Sequence, residues 1–428
     1  MSIAAVPEYL GQDFKDASPG LRFGLYFKGW EPDFRLPQNK VPAVSSATAL
    51  GSHAQVLKHL RDRQAALADA LATDTLLRLD ATATAPFTTG LGNEHPLENG
   101  FAFLNPYGLP YLPGSGVKGV LRQAAWERMS EDWGDTHGWD KTVAHVIKTG
   151  RGKDERSLAL SLLDVLFGPQ TPEGDSEHVR GALTFWDVIP QIKGDSLRVE
   201  IMTPHQSHYY QQTPNPKSGG SVTPHDSGQP TPIAFLTVPP GSGFTFHVIC
   251  DQAHLRRLAL DLADPDPATG KPRWQSLITA AFGHAFAWLG FGAKTAVGYG
   301  AMARDTGAEK RRERERTDRE ARRQTALEEE RRAREHAEAL ARMSPIERSI
   351  ASVLDQRPDK NQSEISAVLA AAKKGEWQGE DKIAVARWLE ARMRQTKGQW
   401  KETSQAKKPE KDKEYQNTLL VKAWLAGR

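Results

Sequence analysis

The stretch GFTFHVIC, residues 243–250, sorts its side chains by twos: Phe244, Phe246 and Val248 on one face, Thr245, His247 and Ile249 on the other. A strand of that pattern needs a core on one side only. Four further short runs, rich in β-branched or aromatic residues and bounded by Gly, Pro or Asp, read as strands over 75–83, 181–189, 197–203 and 233–238. Helical periodicity occupies 52–72, 115–129, 157–168, 253–263 and 272–290. Strands and helices interleave without a regular strand–helix–strand rhythm, so the expected fold class is α+β rather than a doubly wound sheet.

At 428 residues the chain exceeds one ordinary compact domain. Only 39% of it is apolar, and no stretch approaches the roughly 18 consecutive apolar residues of a membrane span. The start MSIAAVPEYLGQDF lacks the basic beginning and apolar block of a secretory leader, so a cytoplasmic protein without a membrane partner is expected. Its one cysteine, Cys250, excludes an intramolecular disulfide framework and a cysteine-based zinc site. No cofactor or metal is expected. A net charge of +3 advertises no global field, so any nucleic-acid site must come from a local arrangement of cations and backbone amides.

Texture divides the chain into an N-terminal extension with a helix packing on the core (1–69), the α+β core (70–305), a charged helical connector (306–343) and a small helical tail module (344–428). Residues 211–232 are dominated by Pro, Gly, Ser, Thr and Gln and read as a long loop. From Ala308 to Arg342, twelve basic and ten acidic side chains leave no apolar stripe wide enough to bury, which predicts a solvated helix held by i,i+4 ion pairs. Ser344, Pro345 and Glu347 then spell a capping box, and further helices are expected at 363–374, 381–395 and 412–426.

Two glycine loops carry the strongest hint of function. In LPYLPGSGVKGVLRQAAW, residues 109–126, Pro113 and Gly114 form a turn, Ser115 is the expected N-cap, and Gly116 and Gly119 leave the backbone bare at the positive end of a helix. Lys118 adds a charge there and Arg122, one turn on, offers a planar fork to a phosphate. A tight strand-to-helix turn with a merely solvated lysine fits the same residues. The second loop, LGFGAKTAVGYGAMAR at 289–304, brackets Lys294 with glycines. It fails the GxxxxGK[ST] pattern because Trp288 stands where the first glycine must be, and no GxGxxG lies between a strand and a helix. An extended polyphosphate such as RNA, followed by bare backbone, remains.

The pairing of GLPYLPGSGVKGVLR with GFGAKTAVGYG resembles the RAMP superfamily, the RNA-binding backbone subunits of CRISPR effector complexes, and within it the sixth-subunit family of the type III-B Cmr module. TTGLGNEHPLENGF (88–101), GALTFWDVIP (181–190), EIMTPHQSHYY (200–210) and PIAFLTVPPGSGFTFHV (232–248) follow the same order, so the resemblance covers about 70–305. It implies a ferredoxin-like, RRM-related core with insertions, acting near the 3′ end of a guide RNA in antiviral defence as a non-catalytic scaffold for target RNA recognition. The implied partners are guide and target RNA, the repeated backbone subunit, the small helical subunit and the terminal RAMP subunit. By position, the implied RNA contacts fall on Gly114, Ser115, Gly116, Lys118, Gly119 and Arg122, and on Gly292, Lys294 and Thr295. Where the family loop often has two serines, this chain has Gly116.

The alternative is an endoribonuclease. His205, His208, Tyr209 and Tyr210, with His225 nearby, could supply acid and base or hold a metal. Histidines and aromatics equally stack on bases, and His205 and Tyr209 are taken as RNA-stacking candidates with no catalytic residue assigned. Glu94 and Glu98 flank His95 in a loop, and Asp80 sits on the first strand, but none matches a nuclease position. Trp126, Trp133, Trp139 and Trp186 read as core or interface anchors.

Overall fold

A computed structural model describes residues 2–130, 138–149, 154–170, 179–204, 232–357, 359–406 and 408–428. The chain divides into two compact units, Met1–Glu313 and Arg314–Arg428. In the first, helix α1 (His53–Asp69) precedes strand β1 (Leu76–Ala83) and helix α2 (Gly114–Arg128). Strands β2 (Thr142–Thr149) and β3 (Asp154–Ser161), helix α3 (Leu162–Phe167) and strand β4 (Leu183–Phe185) follow. Next come β5 (Arg198–Met202), β6 (Ile233–Thr237) and β7 (Gly243–Cys250), then helix α4 (Arg273–His284) and strand β8 (Met302–Arg304).

The central sheet runs β8-β1-β7-β4, and every neighbouring pair is antiparallel. With α2 between β1 and β4, and α4 between β7 and β8, this is the ferredoxin-like βαββαβ arrangement, an α+β fold. Strands β2 with β3, and β5 with β6, form separate antiparallel pairs inserted into that frame.

Alternation decides which face of the sheet is buried. Leu77, Leu79, Ala81 and Ala83 of β1 and Phe244, Phe246, Val248 and Cys250 of β7 enter the main core beneath α2 and α4. Phe246 lies 5.1, 5.9 and 4.9 Å from the rings of Phe282, Phe286 and Phe291, an aromatic cluster that fastens α4 to the sheet. Phe23, Phe27, Ala43, Val44 and Ala47 join the same core, and α1 contributes Leu57 to a smaller cluster with Leu50, Leu109 and Ile189.

Three expected elements differ, the first being the run 253–263, which is α-helical only over Gln252–Leu258, breaks at Ala259 and resumes as a 3-10 turn at Leu260–Leu262. The run 157–168 is not one helix: Ser157–Ser161 belongs to β3, whose partner β2 carried no recognised strand signal, and a capping box of Ser161 with Asp164 starts the helix only at Leu162. The pattern Ser-Leu-Ala-Leu-Ser-Leu satisfies both periods over so short a run, and pairing with β2 settles it. The run 181–189 forms a ladder only at Leu183–Phe185; beyond it Trp186 bonds its amide to the His247 carbonyl and Val188 bridges Leu112.

The charged run forms helix α5 (Thr306–Arg342). Arg316 with Glu320, Arg331 with Glu335 and Arg334 with Glu338 pair at i,i+4, as its composition predicts. In the second unit, α6 (Pro345–Asp355) opens with the expected Ser344–Glu347 capping box, followed by α7 (Glu364–Lys374), α8 (Gly379–Gln395) and α9 (Lys413–Leu425). Ile350, Val368, Trp377, Val385, Leu389, Met393, Val421 and Trp424 form its own core.

Two glycines give opposite expectations for stability. At Gly300, φ is +70° and a Cβ would sit 1.8 Å from the Phe291 carbonyl oxygen. Gly300→Ala should therefore cost about 2–4 kcal/mol in a urea titration of the isolated protein. Gly119 lies in the interior of α2 facing open space, so Gly119→Ala should stabilise by up to about 1 kcal/mol.

Candidate nucleic-acid interface

The first glycine loop enters α2 with Pro113, not Ser115, at the N-cap, and Ser115 makes no capping bond. The cap is supplied from elsewhere: the Asp187 carboxylate accepts the Gly114 amide at 2.7 Å. Asp187 can reach because Gly114 is packed against β4, where a Cβ would stand 2.2 Å from the Phe185 carbonyl oxygen. The Gly116 amide bends back to the Pro113 carbonyl. A carboxylate thus offsets part of the helix's positive end, and the amides are less bare than the sequence suggests. Ser115, Gly116 and Gly119 nevertheless face solvent, and Lys118 is half-buried.

Arg122 is not a free fork. Its guanidinium donates to the Gly168 carbonyl and pairs with Asp164 at 3.6 Å, closing the end of α3. An arginine at i+4 from Lys118 gives no sign in sequence that its partner lies 46 residues away.

The second loop is shaped by packing. A Cβ on Gly292 would lie 2.2 Å from the Thr88 carbonyl oxygen, and the Ala293 amide bonds that same oxygen. Lys294 adopts a left-handed conformation at φ 59°. Its ammonium lies 3.0 Å from the Met202 sulfur and 5.4 Å from the Phe235 ring centroid, so it leans onto β5 and β6. Thr295 begins a short 3-10 turn to Val297. None of the described hydrogen bonds, ion pairs or ring contacts joins this loop to residues 114–119.

His205, His208, Tyr209, Tyr210, His225 and Trp133 lie outside the described residues, as does most of the 211–232 loop. His95 is structural: its ring bonds the Phe23 carbonyl and the Leu97 amide and stacks on Phe23 at 3.9 Å. Glu98 pairs with Lys40. Trp139 is buried, whereas Trp126 is 62% exposed on α2.

A further cluster of polar groups, unmarked by any sequence motif, lies on the polar face of the sheet. There Arg78 donates from Nε to His247 Nε2 at 3.1 Å and from its terminal nitrogens to Asp69 and the Ala65 carbonyl. Asp80 accepts from Thr245 and pairs with Arg312 of α5. The alternation of β1 and β7 put Arg78, Asp80, Thr245 and His247 on this face, but their partners come from α1 and α5. Burial, then the charges of Arg78 and Arg312, push the His247 pKa down to about 3, so its ring is neutral and Nδ1 carries the proton.

The RAMP superfamily matches residues 80–303, from β1 to β8, and the chain belongs to that superfamily. The CRISPR system Cmr subunit Cmr6 of Pyrococcus furiosus is 30% identical over 261 residues, spanning 54% of this chain and 70% of that protein. The crystal structure of Cmr6 from Pyrococcus furiosus aligns with 55% of this chain and 100% of its own, at 22% identity and a TM-score of 0.26. A cryo-EM structure of the type III-B Cmr-beta bound to cognate target RNA aligns with 62% of this chain and 71% of its own, at 18% identity and a TM-score of 0.38. No helix among the described residues is long and apolar enough to cross a membrane.

Neutral His247 makes a signed prediction. Between its ordinary value of 6.5 and about 3 the unfolded chain binds a proton that the folded chain does not. Stability therefore falls as pH drops through that window, by up to about 1.4 kcal/mol per pH unit from this group. His247→Gln keeps an acceptor for Arg78 and removes the titration. Chemical unfolding at several pH values should show a shallower acid loss in the variant.

Proposed function

We propose that the chain is the Cmr6-type subunit of a type III-B CRISPR effector complex and holds guide-RNA backbone near its 3′ end without cutting it. The kinship with a Cmr subunit over 70% of that protein's length supports the assignment to such a complex. The observation that carries the RNA reading is the exposed side of the first two turns of α2, where Ser115, Gly116 and Gly119 face solvent next to Lys118. Hydroxyl, amide and ammonium together offer donors to a phosphodiester, and small residues let the strand approach the main chain. Gly292, Lys294 and Thr295 form the second grip, and His205 and Tyr209 the stacking positions. The repeated backbone subunit, the small helical subunit, the terminal RAMP subunit and target RNA complete the cytoplasmic assembly. Among the described residues, Asp80, His95 and Glu98 are each held by structural partners, which supports a scaffold role for these three.

The test is guide RNA retained by complexes purified with Ser115→Glu or Lys118→Ala. The glutamate places a negative charge in the first turn, which the helix itself tolerates. Both variants should assemble, carry several-fold less RNA and lower the salt-dependence slope by about one per lost phosphate contact. Undiminished RNA content with an unchanged slope would refute the reading.

A further inference from the structure

The polar face of the sheet is roofed on two sides. Helix α1 supplies Arg61, Asp62 and Gln64, and the first turns of α5 supply Ala308, Arg311 and Arg312. Between them and the outward residues of β1 and β7 lies a cavity of about 570 Å³, completed by the segment Ile189–Gly194. That volume falls within the range of small-molecule sites.

Its charge is unbalanced. Five cationic side chains, Arg61, Arg78, Lys193, Arg311 and Arg312, line it against three carboxylates, Asp62, Asp80 and Asp305. The carboxylates are committed: Asp62 to Lys58, Asp80 to Arg312 and Thr245, and Asp305 to Thr82 and the Ala308 amide at the start of α5. Among the described residues, the Lys193 ammonium and the Arg311 guanidinium have no ion-pair or hydrogen-bond partner, and both are exposed at the cavity. Arg61 is held by one bond, to the Pro190 carbonyl. His247, which also lines the cavity and is 4% exposed, has a buried Nδ1 with no partner. Like charges gathered in a cleft with idle donors are costly to hold unless an anion joins them.

We propose that this cavity binds a phosphate monoester, the terminal phosphate of an RNA strand or of a free mononucleotide, through Lys193, Arg311 and Arg61. A surplus of two positive charges matches the dianion that a monoester carries near neutral pH, whereas an internal phosphodiester brings one. Guanidinium groups meet the phosphate oxygens as planar forks, and Lys193 meets them as a point charge. The half-buried Trp186, 5.2 Å from the His247 ring, stands beside this face as a platform for the attached base. This site is separate from the glycine loops and does not rest on the guide-RNA reading.

The full-length subunit should be titrated with fluorescent eight-nucleotide RNAs that differ only in a terminal phosphate or hydroxyl, and with uridine monophosphate as competitor. The phosphorylated strand should bind at least tenfold more tightly. That preference should vanish in Lys193→Glu with Arg311→Glu, at an unchanged melting temperature, and persist in Lys118→Ala. Competition by uridine monophosphate identifies the free nucleotide as a ligand; failure to compete assigns the site to strand ends. Equal affinity for the two strands together with no binding of the mononucleotide would overturn the proposal, as would a preference that survives the double charge reversal.

Discussion

Seven residue pairs of β1 with β7, from Leu76 opposite Ile249 to Thr82 opposite Gly243, hold the first unit together. The register places four apolar side chains of each strand on one face and leaves Arg78, Asp80, Thr245 and His247 on the other. A slip of one residue would exchange the two sets and put Phe246 in the place of His247. Everything else follows from that partition. The apolar face receives α2 and α4, while the polar face receives α1 and the start of α5.

The glycine loops gain a different meaning inside this frame. Gly114, Gly292 and Gly300 stand where another backbone carbonyl passes too close for a side chain, so their first duty is to let turns nest against β4, the Thr88 segment and Phe291. Gly116 and Gly119 meet no such obstacle and lie open. One motif therefore mixes residues required by packing with residues free for a ligand. Asp187 adds a control on the helix end, since a carboxylate already there sets how much positive potential an incoming phosphate meets.

Charge plays three roles along the chain. On α5 it is spread as i,i+4 pairs that keep a helix without an apolar stripe in water. At Ser344 it closes a capping box that starts α6. On the polar face of the sheet it is concentrated and unequal, and the charges of Arg78 and Arg312 add to burial in holding His247 neutral.

What could be read from the residues in order were features decided by near neighbours. The two-residue period of 243–250 and 75–83, the i,i+4 pairs after Ala308 and the box at Ser344–Glu347 depend on side chains a few positions apart, and all appear as expected. The family followed too, because motif order is a linear property. The run 157–168 escaped because its strand half exists only by pairing with 142–149. Tertiary structure alone decided that Asp187 caps α2, that Arg122 serves Gly168, that Lys294 leans on Phe235 and that Arg312 crosses to Asp80. Each joins groups 46 or more residues apart, and a polar side chain carries no local mark of a partner that only the folded sheet brings within reach.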